Sequence, residues 1–90
     1  MLKLVLTAKF KKDFKAIKKR GYNTELLEPV IQTILEEKKL DKKYKDHELH
    51  GDYEGYRECH IAPDWLLIYR IDNGKAVMYA SRTGTHSDLF

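Results

Sequence analysis

The stretch that decides the fold is residues 56–74, Tyr56-Arg57-Glu58-Cys59-His60-Ile61-Ala62-Pro63-Asp64-Trp65-Leu66-Leu67-Ile68-Tyr69-Arg70-Ile71-Asp72-Asn73-Gly74. Tyr56–Ile61 reads as a strand, and Ala62-Pro63-Asp64 ends it, because proline cannot donate to a ladder. Trp65–Asp72 is the most apolar segment of the chain and is the expected central strand. Asp72-Asn73-Gly74 predicts a hairpin with a type I′ turn into a last strand, Lys75–Arg82. Period-2 alternation places Tyr56, Glu58 and His60 on one face of their strand, with Arg57, Cys59 and Ile61 on the other. Glu and His make a poor core face, so His60 is expected to point away from the core, while Cys59 reads as a small buried hydrophobe.

Working outward, Leu2–Leu6 reads as a first strand. Thr7 is the expected N-cap of a helix reaching Arg20 and stopped by Gly21. Phe10, Phe14 and Ile17 supply its inward stripe. A second helix is predicted from Asn23 or Thr24 to Lys38, with Leu26, Leu27, Val30, Ile31, Ile34 and Leu35 as its apolar face and Pro29 bending its start. The short Gly21-Tyr22 connection implies an antiparallel helical hairpin. A short strand near His47–His50 and a glycine-bracketed turn, Gly51–Gly55, then lead into residues 56–82. Thr83–Phe90 is expected as a polar tail. The order β-α-α-β-β-β-β makes an α+β domain: a mainly antiparallel sheet, the helical hairpin packed on one face, the other face open.

Ninety residues, 42% hydrophobic and 34% charged, fit one small globular domain spanning 1–90. No apolar run is long enough to cross a bilayer or act as an export signal, so a cytoplasmic protein without a membrane partner is expected. A single cysteine excludes an internal disulfide and a four-thiolate zinc site. The net charge of +3 conceals a split. Residues 1–45 hold thirteen basic and six acidic side chains, whereas 46–90 hold four and eight. A basic surface built by the first half suits a polyanion or an acidic partner.

Four histidines, His47, His50, His60 and His86, lie in the second half. Imidazole exchanges protons near neutrality. Together with Asp64 and Arg82 these are the parts that cleavage of RNA by its own 2′-hydroxyl requires. One group takes the 2′-OH proton, another protonates the departing 5′-oxygen, and a guanidinium steadies the charge on phosphorus. The expectation is chemistry without metal or cofactor, since no local His pair has a familiar ligand spacing. His50 reads as a polar residue at a strand edge. Phe90, Trp65 and Arg70 are the candidate substrate-binding side chains, Phe90 as a platform for a stacked base.

Three blocks, Asp46–Gly51, Tyr56–Tyr69 and Arg82–Phe90 with its Arg-Thr-Gly-Thr-His opening, resemble the YafQ family of RelE-like toxins from bacterial type II toxin–antitoxin systems. The resemblance covers the whole chain and implies the RelE-like fold. It also implies a metal-independent endoribonuclease that cuts messenger RNA on the ribosome and is silenced by a cognate antitoxin, with DNA met only through that antitoxin. By the same resemblance His86 is the leading candidate for proton donor to the leaving oxygen and Arg82 for transition-state stabiliser, while His60, His47 and Asp64 compete for the base and positioning roles. The alternative on this scaffold is a binding module without catalysis that poisons its target in the manner of ParE-like relatives.

Overall fold

A computed structural model describes residues 1–90. Strand β1 (Lys3–Leu6) leads into helix α1 (Ala8–Lys19). Thr7 Oγ1 accepts the Phe10 N–H at 3.1 Å and caps the helix, as expected. At the other end Gly21 adopts a left-handed backbone, φ 87°, and the Tyr22 N–H returns to the Ile17 carbonyl at 3.3 Å. The second helix begins as a 3-10 turn, Thr24–Leu26, and continues as α2 (Leu27–Leu35). It stops three residues short of the predicted Lys38. Glu37 takes the left-handed position, φ 59°, so that Lys38 N–H bonds Thr33 O at 3.1 Å and Glu37 N–H bonds Ile34 O at 2.9 Å. This is a glycine-type stop made without glycine, and composition does not advertise it.

Five strands follow the order β1-β5-β4-β3-β2, with β2 at His47–Glu48, β3 at Arg57–Ala62, β4 at Trp65–Asp72 and β5 at Val77–Gly84. All neighbours are antiparallel except β1 and β5. Strand β2 is shorter than predicted, and His50 lies outside it. The hairpin after β4 is present, but its loop has four residues, 73–76, rather than the two of a type I′ turn. Asp72 Oδ1 accepts the Lys75 N–H at 3.2 Å, and Ala76, not Gly74, takes the left-handed position, φ 54°. Strand β5 runs two residues beyond the predicted Arg82, past a bulge that leaves Ser81 unpaired. The expected tail instead closes in a short helix, α3 (His86–Leu89), held by a capping box between Thr85 and Asp88.

Alternation sorts the two sheet faces. Cys59, Ile61, Trp65, Leu67 and Met78 meet Phe10, Ile17, Val30 and Ile34 of the helices. On the opposite face Leu66 and Ile68 are buried beneath Leu89, with Leu49, Tyr53 and Tyr56 packed alongside. That face is therefore only partly open, because α3 and the 51–56 segment cover its apolar strip. No helix is long and apolar enough to cross a membrane.

Candidate active site

Strand register builds the site. His47 pairs with Glu58, Glu58 with Ile68, and Ile68 with Arg82. These four residues form one row across the face opposite the helices, spanning three inter-strand spacings, roughly 14 Å. The next row is His60, Leu66 and Gly84, from which the chain passes to His86. His47, His60 and Arg82 thus share one face, and His86 stands at its rim.

Glu58 is the centre of one half. It is a buried charged residue that accepts no hydrogen bond from the protein. Its Oε1 faces two imidazoles instead, His47 Nε2 at 3.6 Å and His60 Nε2 at 3.8 Å. No side-chain oxygen in the protein is both fully buried and without a partner, so the Glu58 carboxylate keeps some contact with water. The His47 ring is oriented by its other nitrogen: Nδ1 donates to the Lys45 carbonyl at 2.6 Å. A carbonyl only accepts, so Nδ1 carries the hydrogen, and the neutral ring has its lone pair on Nε2.

Arg82 anchors the other half. Its Nε and Nη2 donate to Asp13 of α1 at 2.6 and 3.2 Å, and these bonds to the carboxylate raise the guanidinium pKa above its usual range. Beside it the aromatic rings run in the order Tyr56, Tyr53, Phe90, His86, with Tyr53 lying 5.7 Å from Tyr56 and 5.6 Å from Phe90. Phe90 is 5.0 Å from His86 and remains 54% exposed, suited to stacking on a base.

The other predicted site residues make different contacts. Asp64, in the β3–β4 turn, accepts a hydrogen bond from Tyr22 at 2.9 Å. Trp65 is corrected from a substrate contact to a core residue. It faces the helices fully buried, stacked edge-on with Tyr22, and its indole N–H donates to Thr83 Oγ1 at 2.7 Å. Arg70 keeps to the site face but lies over the Tyr79 ring at 4.2 Å. The His50 ring faces exposed Glu54, at 3.3 Å. Burial pushes the Cys59 thiol up to about 12, which leaves it inert as a nucleophile. No group of three or more His, Cys, Asp or Glu side chains is arranged to hold a metal ion.

The family described as "Bacterial toxin of type II toxin-antitoxin system, YafQ" matches residues 2–90. The chain belongs to the YafQ family. The mRNA interferase toxin YafQ of Escherichia coli K12 is 35% identical over 85 residues, 93% of this chain and 90% of that one. A metal-bound toxin from Helicobacter pylori superposes with a TM-score of 0.94 at 41% identity, covering both chains completely. YafQ in the E. coli DinJ–YafQ complex superposes with a TM-score of 0.90 at 33% identity, covering 100% of this chain and 99% of that one. Two residues of the candidate site, Glu58 and Asp13, lie outside the set expected from the sequence. Glu58 carried a usable signal, since alternation puts it beside His60 on the non-core face. Asp13 carried little beyond being the one acid in a lysine-rich helix.

Proposed function

We propose that this toxin, an mRNA-cleaving endoribonuclease like its named relatives, cuts by internal transesterification on the face opposite the helices. The observation that carries the reading is buried Glu58, unbonded between two imidazoles and in one sheet row with Arg82. His47 Nε2 takes the proton of the ribose 2′-OH, and the nearby Glu58 carboxylate stabilises the imidazolium that results. The 2′-oxygen bonds to phosphorus, and the bond to the 5′-oxygen breaks. His86 gives its proton to that leaving oxygen, while Arg82 offers N–H groups to the charge gathered on the non-bridging oxygens. His60 steadies Glu58 from the other side. Phe90, with Tyr53 behind it, stacks an adjacent base, and Arg70 draws a flanking phosphate. Asp64 and Tyr22 brace the end of the sheet.

The lysines of the amino-terminal half add non-specific attraction to the RNA backbone, so binding should weaken steeply with salt. A cognate antitoxin is the partner that silences the enzyme, and the ribosome is the site of cutting, in the cytoplasm. The test is the chemistry of the cut ends. Transesterification leaves a 2′,3′-cyclic phosphate or 3′-phosphate on one fragment and a 5′-hydroxyl on the other. Fragments bearing 5′-phosphate would mean that water was the nucleophile and would overturn the mechanism. Cleavage is expected to persist in EDTA, and loss restored by added zinc would overturn the metal-free scheme.

A further inference from the structure

Strand β1 pairs with β5 only as far as Ala80, so the edge of β5 beyond it has no strand partner. Helix α1 and its cap satisfy that edge. Thr7 N–H donates to Ala80 O at 3.2 Å, Thr7 Oγ1 donates to Ser81 O at 3.0 Å, and Asp13 Oδ2 accepts the Thr83 N–H at 3.2 Å. An asparagine at position 13 could accept that last hydrogen as well. The charge of Asp13 is spent on Arg82, through Nε and Nη2 together, with both side chains largely shielded, at 17% and 24% exposure. Two parallel bonds to one carboxylate fix the plane of a guanidinium. They occupy its Nε side, while the Nη1–Nη2 edge binds no carboxylate. Beside Arg82 is a depression lined by Lys9, Tyr53, Tyr56 and Ser81.

We propose that Asp13 is the positioning residue of the active site: its carboxylate holds the Arg82 guanidinium edge-on, so that Nη1 and Nη2 meet the scissile phosphate together. The inference rests on the role given to Arg82 above and extends it to Asp13, whose carboxylate acts through that guanidinium. Misplacing a charge-stabilising group by about 1 Å costs on the order of 10²-fold in rate. Asp13→Asn should therefore slow single-turnover cleavage of ribosome-bound mRNA by roughly that factor at saturating toxin, while the half-saturating concentration moves less than about twofold. Placed on Arg82→Ala, the same change should do nothing further, because Asp13 acts through Arg82.

Each outcome is decisive. If Arg82→Ala cuts like wild type, the role of Arg82 falls and the proposal with it. If Arg82→Ala is slow but Asp13→Asn is not, or if the two losses multiply, the proposal is overturned while the role of Arg82 stands. A measurement on the unaltered protein guards against a variant that does not fold. The Arg82 Nε–H should give a distinct nitrogen-15 NMR signal, protected from exchange with water. A rapidly exchanging, averaged Arg82 signal in wild type would overturn the edge-on arrangement.

Discussion

His47 donates its Nδ1–H to the carbonyl of Lys45 at 2.6 Å, and Lys45 presents that carbonyl from a left-handed backbone, φ 50°. A residue two positions away thus sets the tautomer of the proposed base, and Nε2 is left facing Glu58. His47→Ala should slow cleavage about 10²- to 10⁴-fold, the range for removing a general base. Glu58→Gln should cost less, because the neutral amide still occupies the site but no longer stabilises an imidazolium. Adding Glu58→Gln to His47→Ala should change little, since the carboxylate acts through the ring. Single-turnover cleavage rates of the three proteins check this, and multiplicative losses would refute the coupling.

Helix α3 is tied back to α1 by Arg20 Nη2, which donates to Asp88 Oδ2 at 2.8 Å. Asp88 also accepts the Thr85 N–H at 2.9 Å, and that bond first, then Arg20, holds its carboxyl below the usual carboxylate range. A depressed carboxyl contributes stability that is complete above its ordinary pKa and lost as pH falls through the lower folded value. Acid should therefore loosen the segment bearing His86 before the sheet unfolds. Amide signals of residues 86–90 should broaden or shift below about pH 4 while those of β4 persist. Because the pair is exposed, Arg20→Ala should weaken cleavage by no more than about fivefold.

Trp65 separates a structural from a substrate role. Its indole N–H reaches Thr83 Oγ1, whose own hydrogen goes to the Leu66 carbonyl at 2.7 Å. Trp65→Phe removes a donor from that buried chain and leaves space in the core. It should cost about 2 kcal/mol or more in urea unfolding, with the half-saturating toxin concentration for cleavage unchanged. A shift in half-saturation at wild-type stability would return Trp65 to the substrate.

Much of this was legible in the chain itself. Strand alternation placed His60 away from the core, and Thr7 and Gly21 marked the ends of α1. The capping box was also there to read, in Thr85 followed three residues later by Asp88, but the polar run from Thr83 masked it. What could not be read was tertiary. The Asp13–Arg82 pair joins residues 69 apart, and it forms only once the packing of Phe10 and Ile17 has laid α1 along β5. An aromatic beside a turn does not declare its face, and Trp65, paired with Ala62 beyond a register shift, lies fully buried on the helix side.

The left-handed stop at Glu37 offers a prediction free of the site. Its φ of 59° carries a Cβ penalty that glycine lacks, and the side chain is exposed on the far end of α2. Glycine also loses more freedom on folding, which offsets part of the gain. Glu37→Gly should therefore stabilise the protein by about 0.5–1 kcal/mol, raising the urea midpoint without changing the slope. Cleavage should stay at the wild-type rate, because Glu37 touches none of the groups around Glu58 or Arg82. A lowered midpoint would mean that the Lys38-to-Thr33 and Glu37-to-Ile34 bonds do not hold the left-handed turn in solution.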